Sequence, residues 1–177
     1  HPDIIAGQGT VGLEITAASR ALGLRIDSVF VPTSGGGLLT GVSTAIRESA
    51  SEAVMFGIEP EGHDDFARSV VAGQIVEGSD PGRPTFCDAL KSPRPGALPL
   101  SIALSLGLNF GTAGDADIEP AMRVLAEDFR VIAEPGGAIG MAAALKGAKD
   151  LQDQTVIVLV SGGNVDHDVF CRIVQRQ

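Results

Sequence analysis

The run Thr155-Val-Ile-Val-Leu-Val160 constrains this chain more than any other stretch. Its apolar side chains are continuous, so they cannot alternate between a core and water. Such a run reads as a strand covered on both faces, the usual burial of strands in parallel α/β sheets. Shorter runs predict further strands at Asp3–Ala6, Ser28–Pro32, Val54–Glu59, Asn109–Thr112 and Val131–Glu134. Helical patterns fall between them, over Thr10–Leu22, Leu38–Ser49, Asp64–Ala72, Leu98–Leu106, Asp117–Asp128, Gly137–Gly147 and Asp166–Val174. Gly23 suits the position after a helix C-terminus, and Asp117 suits an N-cap. Val76–Pro99 is proline-rich and aperiodic, which predicts a loop with one short helical turn. The alternation predicts one α/β domain over residues 1–177, an open and mostly parallel sheet with helices on both faces.

Composition supports a packed domain and removes several functions. With 44% apolar residues in 177, the chain can bury a sizeable core, which excludes disorder. The net charge of −9 and an isoelectric point near 4.7, with no basic patch, argue against nucleic acid and against anionic membrane surfaces. Trp and Tyr are absent, so aromatic platforms for stacking bases are not expected. Cys87 and Cys171 form no disulfide framework and read as small apolar residues, reduced in a cytoplasmic protein. No apolar run is long enough to span a bilayer, and no signal peptide is visible. The chain enters an apolar run straight after His1-Pro2-Asp3, without an initiator Met. This predicts a fragment of a longer protein.

Three glycine-rich turns each follow a predicted strand and precede a predicted helix: Gly7-Gln8-Gly9-Thr10, Ser34-Gly35-Gly36-Gly37 and Ser161-Gly162-Gly163-Asn164. That order would place all three at the carboxyl ends of parallel strands, where ligands bind. Glycine lets backbone N–H groups approach an anion, and a helix N-terminus behind adds its dipole. Gly7–Gly12 is a literal G-x-G-x-x-G, but no acidic residue closes the next strand, as a dinucleotide ribose requires. Ser34-Gly35-Gly36-Gly37-Leu38 suits a phosphate monoester. No Gly-Lys-Ser/Thr follows it, so it is not a nucleoside-triphosphate loop.

Taken together, five motifs resemble one family: Ala6-Gly7-Gln8-Gly9-Thr10 with Glu14; Ser34–Leu38 with Gly41; Glu59-Pro60; Glu134-Pro135-Gly136-Gly137-Ala138; and Ser161-Gly162-Gly163-Asn164. In order and spacing the chain resembles the C-terminal portion of threonine/serine dehydratases, the fold-type II pyridoxal-phosphate enzymes related to serine racemase. The resemblance implies that Ser34, Gly35, Gly36, Gly37 and Leu38 hold the cofactor phosphate through backbone N–H groups, with Ser34 in place of a usual glycine. It implies that Ser161, with Gly162 after it, meets the pyridine nitrogen and that Glu134 borders the cofactor. Gly136 departs from the family's usual Ser.

Glu59-Pro60-Glu61-Gly62-His63-Asp64-Asp65 resembles the family's cation site. Glu59 and Asp65 would offer carboxylates and His63 its backbone carbonyl to Mg²⁺, Ca²⁺ or a monovalent ion. The alternative is a solvated acidic turn that caps the helix at Asp64. His63 and His167 otherwise read as surface histidines, and Asp88 as a weak candidate site residue.

The family's Schiff-base lysine motif, Ser-Phe-Lys, and its Ser-Gly-Asn-His substrate loop are absent from this sequence. The only lysines are Lys91, Lys146 and Lys149, and none matches. The resemblance therefore implies a parent ammonia-lyase that turns a β-hydroxy amino acid into a 2-oxo acid and ammonia, acting as a homodimer. The missing N-terminal portion would supply the lysine, and this chain alone would be inactive. A racemase or β-replacement enzyme of the same fold, and an inactive cofactor- or phosphate-binding domain, remain as alternatives.

Overall fold

The computed structural model describes residues 1–49, 52–78 and 82–175. Helix α1 (Pro2–Ala21) opens the chain, followed by β1 (Ser28–Pro32), α2 (Gly37–Ser49), β2 (Val54–Pro60) and α3 (Asp65–Ala72). A 3₁₀ turn (Asp88–Leu90) precedes α4 (Ala97–Leu106), β3 (Asn109–Ala113), α5 (Asp115–Glu127), α6 (Pro135–Lys146), β4 (Val156–Val158) and α7 (His167–Gln175). The strands pair in parallel, in the order β3-β2-β1-β4. Val29 of β1 lies between Met55 and Ile157, and Glu59 of β2 pairs with Thr112.

Successive strand side chains point to opposite faces, so β1 feeds two cores. Val29, Val31 and Met55 pack with Leu39, Val42, Ile46 and Phe66 on one face. Phe30 and Ile58 pack with Ile118, Met122, Ala138 and Ile139 on the other. Every residue of β1 is buried, and helices cover both faces, as the sequence predicts.

Four expectations are corrected. Asp3–Ala6 is not a strand but the start of α1, and the first glycine turn, Gly7–Thr10, is the interior of the same helix. Pro2 sits in its first turn, where a missing N–H costs nothing, and the His1 ring accepts the Asp3 N–H at 3.3 Å. Ile5, Gly9, Gly12, Thr16 and Ser19 form its buried stripe at helical spacing. The glycines serve close packing of α1 on α2: a Cβ on Gly12 would lie 2.7 Å from the Val42 carbonyl oxygen.

Val131–Glu134 forms no strand. Val131 N–H donates back to Leu125 O at 2.9 Å, and Glu134 N–H donates to Gly162 O at 3.0 Å, so the segment joins no ladder. β4 is three residues long and half-buried at the sheet edge, short of the fully covered Thr155–Val160 strand. Asp117 is the third residue of α5 and not its N-cap: Gly114 is the cap, and its N–H donates to Asp117 Oδ2 at 3.0 Å. That bond, with Lys146 second, holds the Asp117 carboxyl below its ordinary range.

Gly23 does follow the α1 C-terminus, in the left-handed conformation with φ of 67°. The long loop contains a 3₁₀ turn as expected, although α4 begins at Ala97, and its residues 79–81 lie outside the described residues.

Candidate functional site

The sheet order reverses at β1, with β2 on one side and β4 on the other. Open parallel sheets leave a crevice at such a point, beyond the carboxyl ends of the strands. The turn after β1 and the segment after β4 meet there. A cavity of about 200 Å³ is lined by Pro32–Leu39, Leu90 and Ser161. Ser34, Gly35, Gly36, Gly37, Leu38 and Ser161, separated by more than a hundred residues in sequence, thus share one cavity.

The turn is held from behind. Gly36 has φ of +93°, and a Cβ there would overlap the Phe66 ring and lie 2.8 Å from Pro99 Cβ. Its carbonyl accepts Thr40 N–H at 3.0 Å and Thr40 Oγ1–H at 2.7 Å. Gly35 O accepts Gly96 N–H at 3.0 Å, and Ser34 Oγ accepts Ser92 N–H at 3.1 Å. Ser34 therefore ties the turn to the proline-rich segment. The first N–H groups of α2 have no carbonyl one turn back within the helix, and the helix dipole favours an anion in front of them. A phosphate monoester fits this donor set, which needs no lysine.

Glu134 and Gly162 stand beside the cavity and do not line it. Glu134 Oε2 accepts Asn164 N–H at 3.0 Å, and any side chain at Gly162 would run into the Glu134 carboxylate. They brace the third loop. The resemblance places the stretch Thr85–Leu90 near the site, with Asp88 as its weak candidate; the residue of that stretch that lines the cavity is Leu90, while Asp88 does not.

Glu59, His63 and Asp65 are all buried, which corrects the picture of a solvated turn and of His63 as a surface histidine. Glu59, 1% exposed, accepts Phe66 N–H and Ala67 N–H, each at 2.9 Å, and so caps α3 through both carboxylate oxygens. Asp64 makes no side-chain capping bond. His63 Nε2–H donates to Arg83 O at 3.0 Å. Asp65 Oδ2 is buried without a partner. Burial pushes the Glu59 carboxyl up to about 8, with Asp65 adding repulsion, and pushes Asp65 up to about 6. Among the described residues, no three His, Cys, Asp or Glu side chains are grouped to hold a metal ion.

Cys87 is fully buried, and burial pushes its thiol up to about 12, so it is a packing residue. Cys171 is half-buried, with Sγ 3.5 Å from Nε2 of the exposed His167. Asp88 is exposed. Lys146 is bound to Asp117 Oδ2 at 3.0 Å and lies 3.5 Å from Glu61 Oε1. Among the described residues, no helix is long and apolar enough to cross a membrane.

Residues 1–162 match the family model described as pyridoxal-phosphate dependent enzyme. This chain belongs to that family. The L-threo-3-hydroxyaspartate ammonia-lyase of Saccharomyces cerevisiae is 34% identical over 174 residues, 98% of this chain and 52% of that protein. The serine racemase of Arabidopsis thaliana is 36% identical over 168 residues, 92% of this chain and 49% of that protein. The crystal structure of the T.th. threonine deaminase superposes with a TM-score of 0.88 at 36% identity, covering 94% of this chain and 60% of that one. The chain thus spans about half the length of the curated relatives it matches.

Proposed function

We propose that this chain is the cofactor-phosphate portion of a pyridoxal-phosphate-dependent ammonia-lyase acting on threonine, serine or 3-hydroxyaspartate. The observation that carries the reading is the cavity at the sheet's reversal point, which unites the Ser34–Leu38 turn with Ser161. Bound pyridoxal phosphate supplies the electron sink for breaking the substrate Cα–H bond. The backbone N–H groups of Gly35–Leu38, backed by the α2 dipole, hold its phosphate. Ser161 offers a neutral hydroxyl to the ring nitrogen, which suits loss of a β-hydroxyl better than long storage of charge. Glu134 keeps Ser161 in place by bracing the loop after it.

The lysine that carries the cofactor and moves the Cα proton belongs, in this proposal, to a further portion of the protein. Lys146 is already committed to Asp117. In the 177-residue chain with pyridoxal phosphate, borohydride reduction and peptide mapping should label no single lysine, and serine or threonine should yield no 2-oxo acid. One specific labelled lysine with turnover overturns the division of labour. In the full-length parent, 2-oxo acid release from a β-hydroxy amino acid tests the lyase reading. Conversion to the opposite enantiomer without 2-oxo acid would instead favour the racemase reading, which the plant relative's 36% identity supports.

A hard cation at Glu59, Asp65 and the His63 carbonyl belongs to the same proposal. Its support is the unpartnered Asp65 Oδ2 beside a second buried carboxyl. To bind it, Glu59 must share or release its cap on α3. A melting temperature unchanged by Mg²⁺, Ca²⁺ and K⁺ rejects the cation.

A further inference from the structure

We propose that Leu90, seated against Gly136, sets the width of the cavity in front of the phosphate-binding turn and is a positioning residue for the group bound there. The inference rests on the phosphate reading of that cavity. Leu90 ends the 3₁₀ turn Asp88–Leu90, whose base is fixed by the fully buried Cys87: Leu90 N–H donates to Cys87 O at 3.0 Å. One side of the Leu90 side chain lines the cavity. The other side meets the first turn of α6. A Cβ built on Gly136 would lie 3.2 Å from Leu90 Cγ, 3.5 Å from its Cδ1 and 3.7 Å from Ala89 Cβ.

Glycine at 136 therefore gives Leu90 its seat. Pro135, Gly136 and Gly137 are buried, so a Leu90 pushed off that seat moves away from α6 and has the cavity on its other side. The displacement would also reach the turn itself. Two residues beyond Leu90, Ser92 N–H holds Ser34 Oγ, and Gly96 N–H holds Gly35 O. The wall of the cavity and the clip on its phosphate turn are thus one continuous segment.

The test is a double-variant cycle in the full-length protein, with pyridoxal phosphate titrated by its absorbance and inorganic phosphate as competitor. Gly136→Ala should weaken pyridoxal phosphate several-fold, and Gly136→Val more. Adding Leu90→Ala to Gly136→Ala should restore affinity, so that the double variant departs from the product of the single effects by more than about twofold, the limit for independent sites. Alanine is a better helix former than glycine, so the Gly136→Ala melting temperature should hold or rise, separating lost affinity from lost fold. Leu90→Phe, which adds bulk at the cavity wall and leaves the sequence of α6 unchanged, should also weaken binding. If wild type binds neither pyridoxal phosphate nor phosphate, both the phosphate reading and this proposal fall. If wild type binds but Gly136→Ala and Leu90→Phe leave affinity unchanged, or Leu90→Ala gives no rescue, the role of Leu90 is refuted and the phosphate reading stands.

Discussion

Replacing Gly36 with alanine should destabilise the protein far more than the same change one residue earlier. Gly36 holds φ of +93°, where any residue with a Cβ is strained by about 1–3 kcal/mol. The new Cβ would also overlap the Phe66 ring and lie 2.8 Å from Pro99 Cβ. Neither neighbour can retreat, since Phe66 is fully buried in the first core and Pro99 is buried in α4. Overpacking of this kind costs about 1–3 kcal/mol, so the two effects together come to about 2–6 kcal/mol. Against a total stability of about 5–15 kcal/mol that is a large fraction. For a chain of this size it corresponds to a melting temperature lower by roughly 5–20 °C. Gly35→Ala is the control: its Cβ would meet only Ser92 Oγ, at 3.7 Å, with no positive φ to violate. Thermal melts of the two variants, run beside wild type, make the comparison. Should both variants melt within a degree or two of each other, the steric account of the phosphate turn is wrong.

Gly12→Val should destabilise by about 1–3 kcal/mol, because its Cβ would lie 2.7 Å from the Val42 carbonyl oxygen, whereas Gly7→Ala, with open space around it, should stabilise by about 0.5–1 kcal/mol. Urea titrations that show Gly12→Val as benign as Gly7→Ala would refute the close contact of α1 and α2. The Glu59 carboxyl is raised from 4.5 to about 8 in the folded chain, so its neutral form favours folding. The contribution is complete below about pH 4.5 and is lost as pH rises through about 8, at no more than about 1.4 kcal/mol per pH unit. Glu59→Gln should flatten that fall, and an equally steep melting profile in the variant would refute the assignment. A thiol reagent should modify half-buried Cys171 and spare Cys87 until the protein unfolds; mass spectrometry showing Cys87 labelled first would contradict the packing around it.

Local patterns carried much of this fold. The run of buried β1, the helical stripe of α2 and the glycines beside phosphate-sized space are all short-range features, legible because burial and backbone freedom are set residue by residue. Motif order also pointed to the family, and to Ser34–Leu38 and Ser161 as parts of one site. Local pattern failed where a residue's partner is distant. Ile4-Ile5-Ala6 has the look of a strand, yet Gly9 and Gly12 are glycines because α2 lies against them, so the segment is helix and its G-x-G-x-x-G is no strand-to-helix turn. Val131–Glu134 has strand-like residues but no ladder to join. Glu59 reads in sequence as a candidate cation ligand, and only the fold of α3 back over the end of β2 shows it as a buried helix cap. Local pattern could name the glycine turns, and only the family resemblance said which two meet; the physical reason lies in the tertiary structure. That meeting follows from strand order: β4 returns to the far side of β1, and this reversal brings Ser161 to the phosphate turn. Strand order is chosen by how two cores pack across a whole sheet, and no window of sequence contains it.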